Sequence, residues 1–169
     1  ATEIVKFTKN ILTEKGVKGY NEIDKTGELK HIILRKNALE NEIMIVLVVK
    51  SYPFTTSNIL KEIVDKIIKR YPNVKSIVAN INQTTTNVIL GNECVNIYGD
   101  GYITDQLCNL SFRIGPKSFY QVNHDQCEKL YKTAIELAKL NKDEIIIDAY
   151  CGIGTIGLIA ASSVKEVYG

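Results

Sequence analysis

The stretch Glu144-Ile-Ile-Ile-Asp148-Ala-Tyr150-Cys-Gly152-Ile-Gly154-Thr155-Ile-Gly157-Leu-Ile-Ala-Ala161 decides the fold. Apolar, β-branched residues lead into Asp148 and read as a short, buried parallel strand. Gly152, Gly154 and Gly157 then make a turn, and Ile156, Leu158, Ile159 and Ala160 open an apolar helix. Strand, glycine turn and helix together form the nucleoside-binding corner of a doubly wound α/β domain. The glycines let the chain turn tightly and let its backbone approach a ligand.

The spacing Gly152-x-Gly154-x-x-Gly157 also matches the dinucleotide fingerprint, so two ligand classes compete. Asp148, four residues before the first glycine, suits a ligand with a cationic amine and repels a pyrophosphate. S-adenosylmethionine carries an α-amino group and a sulfonium, and it fits such an acid. A dinucleotide-dependent oxidoreductase is the rival, and a turn without a ligand is the third reading. The acid that grips the ribose in a dinucleotide site lies about 20 residues past the glycines. The sequence ends at Gly169, short of that point.

At 169 residues the chain suffices for one ordinary domain, or for a small domain plus part of another. A content of 45% hydrophobic and 24% charged residues is that of a soluble globular protein. The net charge of +2 permits a polyanionic partner without demanding one. The longest apolar run, Ile43 to Val49, is too short to span a bilayer. The start Ala-Thr-Glu-Ile-Val-Lys has no signal-peptide core and no initiator methionine, which suggests an excised fragment.

Cys94, Cys108, Cys127 and Cys151 are scattered without a Cys-x-x-Cys pair, which argues against a metal or iron–sulfur site. With no export signal, reduced thiols and a cytoplasmic location are expected. Cys151, in the glycine turn, is the tempting nucleophile. A small side chain that fits a tight turn explains it better, because His31 and His124 are both remote in sequence.

Upstream, Ile4, Val5, Phe7, Ile11 and Leu12 fall near helical spacing over 2–15, with Gly16 as a stop. His31 to Arg35 and Glu42 to Lys50 read as strands joined through 37–41 in a hairpin. On the first strand His31 and Arg35 are candidates for a basic RNA face, although solvated strand positions are the blander reading. Ser57, or Thr55–Thr56 before it, caps a helix to about Arg70, striped with Ile59, Leu60, Ile63, Ile67 and Ile68. Val74 to Ile81, Val88 to Leu90, Cys94 to Tyr98, Tyr102 to Leu107 and Leu110 to Ile114 continue as strands. From Asp125 to Leu140 a helix carries Leu130, Ala134, Leu137 and Ala138 on one stripe, and Val164 to Tyr168 starts a second parallel strand. The order predicts an α+β central domain over 1–112. The first βαβ part of a Rossmann-like domain follows over 113–169.

Two motifs carry a resemblance: Ser118-Phe-Tyr-Gln-Val-Asn123, and Asp148-Ala-Tyr-Cys-Gly-Ile-Gly-Thr-Ile-Gly-Leu158. Together they resemble the RNA uracil-5-methyltransferases, which use S-adenosylmethionine to methylate C5 of uridine in ribosomal or transfer RNA. Thr86-Asn-Val-Ile-Leu-Gly91 is similar to the family's central domain. The similarity covers the whole chain but only a middle portion of a family member. It implies that Gln121, Tyr150, Gly152 and Thr155 bind S-adenosylmethionine. Asp148 is implied as a motif acid that supports the turn and stands beside the cofactor. Phe119 resembles an aromatic close to the target uracil. Blander roles exist for two of these: Phe119 as core, and Gln121 as the cap of the following helix.

The family mechanism needs a cysteine that adds to C6 of uracil and a base that removes the C5 proton. The family motifs for both, resembling Asp-Pro-Pro-Arg and Ser-Cys-Asn-Pro, do not occur in this sequence. No catalytic residue is therefore assigned to this chain, and alone it is expected to be inactive. A non-catalytic RNA-binding module is the alternative function. RNA is the expected partner, with no membrane. Ile145, Ile147, Ile156 and Leu158 are expected to lie partly uncovered, which predicts a homodimer through the open sheet edge.

Overall fold

The computed structural model describes residues 2–38 and 41–169. Helix α1 (Thr2–Glu14) buries Ile4, Thr8, Ile11 and Leu12, one face at helical spacing. Gly16, at φ +76°, ends it in a Schellman turn. There Gly16 N–H donates to Thr13 O at 3.0 Å and Val17 N–H to Leu12 O at 2.9 Å.

Strand β1 (Leu29–Lys36) pairs antiparallel with β2 (Ile43–Val49). Their connection includes residues 39 and 40, which lie outside the described residues. Asn37 closes it from both sides, its N–H donating to Glu42 O and its Oδ1 accepting from Glu42 N–H. All seven side chains of β2 are buried, so this strand is covered on both faces. A short helix α2 (Tyr52–Thr55) precedes α3 (Asn58–Arg70). Of the candidate caps it is Ser57 that caps α3, its hydroxyl accepting from Leu60 N–H at 3.2 Å, worth about 1 kcal/mol. Leu60, Ile63 and Ile67 are wholly buried, each contributing about 1.5–3 kcal/mol. The helix crosses over to β3 (Val74–Ile81), which is parallel to β2, and β4 (Glu93–Gly99) pairs antiparallel with β3. The sheet order is β1-β2-β3-β4, and α1 and α3 share one apolar cluster with its inner face.

The strand expected over 88–90 is not formed. Asn82 Nδ2 donates instead to the carbonyls of Val88 and Ile89, at 2.7 and 2.9 Å. Asn80 takes Gly91, accepting its N–H at 2.7 Å and donating to its carbonyl at 3.0 Å. Two buried carboxamides thus claim the backbone groups that a ladder would use.

Strands β5 (Ile103–Leu107) and β6 (Leu110–Ile114) form a two-stranded sheet. Cys108 and Asn109 between them both have positive φ, as a two-residue primed turn requires. Helix α4 (His124–Ala138), β7 (Ile145–Ile147), α5 (Thr155–Ala160) and β8 (Glu166–Tyr168) follow. One compact unit runs to Ile103 and includes 115–117, and the other comprises 104–114 and 118–169. This division differs from the expected 1–112 and 113–169 at 104–112, which fall in the second unit with α4, and at 115–117, which fall in the first.

In the second unit β7 and β8 are parallel, in the register Ile145↔Glu166 to Ile147↔Tyr168. Although β7 has the composition of a buried strand, Ile145 and Ile147 are 54% and 77% exposed, the uncovered state expected of them. Two short strands with α5 present too little surface to cover both of their faces. Leu158 is also exposed and Ile156 half-buried, matching the uncovered pattern expected of them. The homodimer expectation rests on that exposure alone. The stripe expected on α4 is corrected, since Leu130 and Leu137 face solvent. Cys127 and Tyr131, one turn apart, make its inward edge.

Candidate cofactor site

Asp148 follows β7, and its N–H donates to Tyr168 O at 2.7 Å, extending the β7–β8 pairing by one bond. Its carboxylate turns toward α5, where Oδ2 accepts from Gly157 N–H at 3.2 Å. Gly157 is required at this point. A Cβ there would lie 2.9 Å from Asp148 Oδ2 and 3.1 Å from Val167 Cγ1.

Between these anchors the chain makes a left-handed turn, with φ +73° at Tyr150, +60° at Gly152 and +75° at Gly154. Gly154 N–H donates to Cys151 O at 2.8 Å, and Leu158 N–H to Gly154 O at 2.9 Å, which closes the turn onto α5. A Cβ at Gly152 would meet nothing within 4 Å, so this part of the turn faces open space. Tyr150 is fully exposed, and its left-handed backbone is unusual for a bulky side chain. Strain of this kind is typical of binding turns.

Thr155 is the first residue of α5, and its Oγ1 lies 3.1 Å from the hydroxyl of Tyr131 on α4. Burial pushes the Tyr131 phenol up from its ordinary pKa, so it stays neutral and serves as a hydrogen-bonding group. Ile153 of the turn packs with Tyr120, Tyr131 and Ile159 on a small core of Leu107, Phe112 and Cys127. That core fastens the 118–123 segment and the glycine turn to one support. Tyr120 is the inward residue of its segment, while Phe119, 75% exposed, and Gln121 are its exposed neighbours. The reading of Phe119 as core therefore fails. Gln121 does not cap α4 either, because Asn123 does so, its Oδ1 accepting from Gln126 N–H at 3.2 Å.

Sequence reasoning missed the groups beneath this segment. Asp105 is buried, and the Tyr120 phenol faces it without closing a hydrogen bond of ordinary length. Burial first, then the Asp105 charge, pushes the Tyr120 pKa up. His124 Nε2–H donates to Gln106 O, and Nδ1 lies 3.6 Å from the Asp125 carboxylate. The Gln106 carbonyl is the largest of the causes that raise the His124 pKa. The four-residue spacing of Cys127 and Tyr131 was the one available signal for the inward edge of α4.

An apolar cleft of about 360 Å³ lies beside the turn, bounded by Ala134, Ala138, Ile146 and Ile156, with Asp148 its one acidic group. All four cysteines are free thiols. Burial raises the pKa of Cys108 and Cys127, which disfavours their thiolates. Among the described residues, no cluster of His, Cys, Asp or Glu is arranged to hold a metal ion. No helix among them is long and apolar enough to cross a membrane.

No protein-family model matches the chain. An uncharacterized RNA methyltransferase of Oceanobacillus iheyensis is 41% identical over 167 residues, which is 99% of this chain and 36% of that protein. Another, from Staphylococcus aureus, is 42% identical over the same shares. One from Streptococcus pyogenes is 42% identical over 98% of this chain and 35% of its own length. The chain thus spans about a third of the relatives that it matches. Among solved structures, the tRNA (uracil-54, C5)-methyltransferase of Pyrococcus abyssi, in complex with S-adenosyl-L-homocysteine, superposes with a TM-score of 0.74. It is 24% identical and matches 96% of this chain and 38% of its own, so the two share a mixed α/β fold. Over nearly its whole length, the chain is a homologue of proteins named as RNA methyltransferases.

Proposed function

We propose that the chain is the central and cofactor-binding portion of an S-adenosylmethionine-dependent RNA uracil-C5 methyltransferase. The observation that carries this reading is the bond from Gly157 N–H to Asp148 Oδ2. A dinucleotide pyrophosphate would compete for that N–H at the start of α5, and here the protein's own carboxylate holds it. A carboxylate beside an open, left-handed turn suits instead a ligand with an amine and a sulfonium. The names of the relatives and the bound ligand of the Pyrococcus abyssi neighbour support the same class.

In this reading S-adenosylmethionine supplies the methyl group. Gln121 and Thr155 offer it polar contacts, Tyr150 offers the face of its ring, and Gly152 leaves its backbone open to approach. Asp148 has one oxygen bound to Gly157 and a negative charge next to the ligand's cationic end. Phe119, exposed on the same segment as Gln121, offers a stacking surface to a flipped uracil. Neither the nucleophile that attacks C6 nor the base that takes the C5 proton is assigned to this chain. The thiols of Cys108 and Cys127, whose pKa desolvation raises, are poor nucleophiles.

The test is product analysis. The intact polypeptide that carries this sequence, given S-adenosylmethionine and unmodified ribosomal and transfer RNA, should form 5-methyluridine. The 169-residue chain alone should form none. RNA without 5-methyluridine after incubation with the intact polypeptide would overturn the reading.

A further inference from the structure

The loop 83–92 joins β3 to β4 and is built in an unusual way. Asn80 and Asn82, both buried, hold it from below through six side-chain bonds to the backbone: Asn80 to Gly91 N–H, Gly91 O and Glu93 O, and Asn82 to Val88 O, Ile89 O and Thr84 N–H. At Gly91 a Cβ would lie 1.8 Å from Ile81 O, so the loop's return path also needs glycine. This ordered support presents Val88 and Ile89 to solvent, 59% and 50% exposed. A rigid loop with two exposed apolar side chains serves nothing inside its own unit.

The surroundings of the loop are cationic. From Gln83 to Asn92 it carries no charge, and the first acid after it, Glu93, begins β4. Lys30 Nζ donates to Thr84 O at one end, and Lys117 Nζ to Asn92 O at the other, at 3.5 Å. Lys30 and Lys50 stand over the ring of Tyr20, 4.5 and 5.9 Å from its centre. Gln83, at the foot of the loop, also lines a cleft of about 710 Å³ with Lys15, Lys18 and Lys50. The cleft's own acid, Glu28, is already engaged, both of its oxygens accepting from Ser51. Lys15 pairs with Glu62, so Lys18 and Lys50 are the cleft's cations without a carboxylate partner among the ion pairs of the described residues.

From this juxtaposition of a fixed apolar tip with a lysine-lined cleft, we infer that the first unit holds a docking surface for a single-stranded segment of RNA. The lysines of the cleft and of the loop's flanks neutralise phosphates, and Val88 and Ile89 lie against the face of an unpaired base or its ribose. Clustered ammonium groups repel one another unless an anion joins them, which makes a polyanion the complementary partner. The inference rests on the reading of the chain as part of an RNA-modifying protein, and it places a substrate contact outside the cofactor site.

Fluorescence anisotropy of the 169-residue chain with a labelled single-stranded RNA of mixed sequence tests it. Val88→Ser with Ile89→Ser should weaken binding about tenfold and leave its salt dependence unchanged. Lys30→Gln with Lys50→Gln should weaken it as well, and should lower the slope of log affinity against log salt by about 1. Both pairs alter exposed or half-buried side chains, and unchanged circular dichroism and melting confirm intact variants. Wild-type affinity in both variants overturns the docking surface, as does a wild-type chain that binds no RNA. Neither result bears on the formation of 5-methyluridine by the intact polypeptide, so the two readings fail separately.

Discussion

The carboxylate of Asp148 and the N–H of Gly157, nine residues apart, close the glycine turn with a 3.2 Å hydrogen bond. One residue ends a strand and the other lies in the first turn of a helix, so this bond sets the angle between them. Asp148→Ala should cost the second unit about 1–3 kcal/mol, because Gly157 N–H loses its acceptor. Asp148→Asn keeps an acceptor and should cost less. Gly157→Ala gains about 1 kcal/mol of helix propensity but pushes the carboxylate away, for a net loss. Urea denaturation of the three variants gives the order, and equal stability of Asp148→Ala and wild type would show the bond to be idle.

Tyr150 should behave in the opposite way. Its ring packs on nothing and its backbone is left-handed, which costs roughly 1–2 kcal/mol for a residue with a Cβ. Glycine removes that cost and adds unfolded-chain entropy worth about 0.4–1 kcal/mol. Tyr150→Gly should therefore leave stability unchanged or raise it by as much as ~1 kcal/mol. The same change in the intact polypeptide should weaken S-adenosylmethionine binding in calorimetry. A variant that melts well below wild type contradicts the strain argument.

Gln121 carries the polar contact to the cofactor in the proposed function. In the intact polypeptide, Gln121→Ala should weaken S-adenosylmethionine by roughly 1–3 kcal/mol, the cost of leaving a partner unpaired. The fold should not notice, since Gln121 is exposed and Asn123 does the capping. Unchanged affinity on titration removes Gln121 from the site.

His124 gives the second unit a pH dependence with a definite sign. The Gln106 carbonyl, and after it the Asp105, Asp125 and Glu128 carboxylates, raise its folded pKa above the ordinary value of about 6.5. A raised folded pKa means that the native state binds the proton more tightly than the unfolded chain does. The stabilisation is full below about pH 6.5 and is lost as pH rises through the folded value. Melting temperatures between about pH 6 and pH 8 should fall more steeply for wild type than for His124→Gln. Parallel curves would remove this contribution.

Much of this architecture was legible from local chemistry. Gly16, Ser57 and the Ile63–Ile67 stripe act within a few residues of themselves, so the sequence displays their roles directly. The support that Asp148 gives the turn was implied by the family resemblance, and its bond to Gly157 fits that role. The failures have a common physical cause. Val88 to Leu90 have strand composition, but two asparagines buried in β3 and just after it take their backbone groups. Leu130 and Leu137 have core composition, yet α4 turns Cys127 and Tyr131 inward. In each case the decision was made by contacts that the composition of the stretch does not display. The contact between Tyr120 and Asp105 was invisible for the same reason.

The double-sided burial of β2 has a consequence for the chain before it folds. Ile43 to Val49 is a window of seven residues with high β propensity, no proline and no charge, which is the composition of an aggregation-prone segment. In the native sheet β1 and β3 occupy both of its edges, and none of it is offered to another molecule. Until β3 arrives, across the intervening helices, one edge stands open. Glu42 and Lys50 bracket the window with opposite charges and act as its gatekeepers. Replacing both by neutral residues should leave the folded protein almost untouched and lower the yield of soluble protein on refolding.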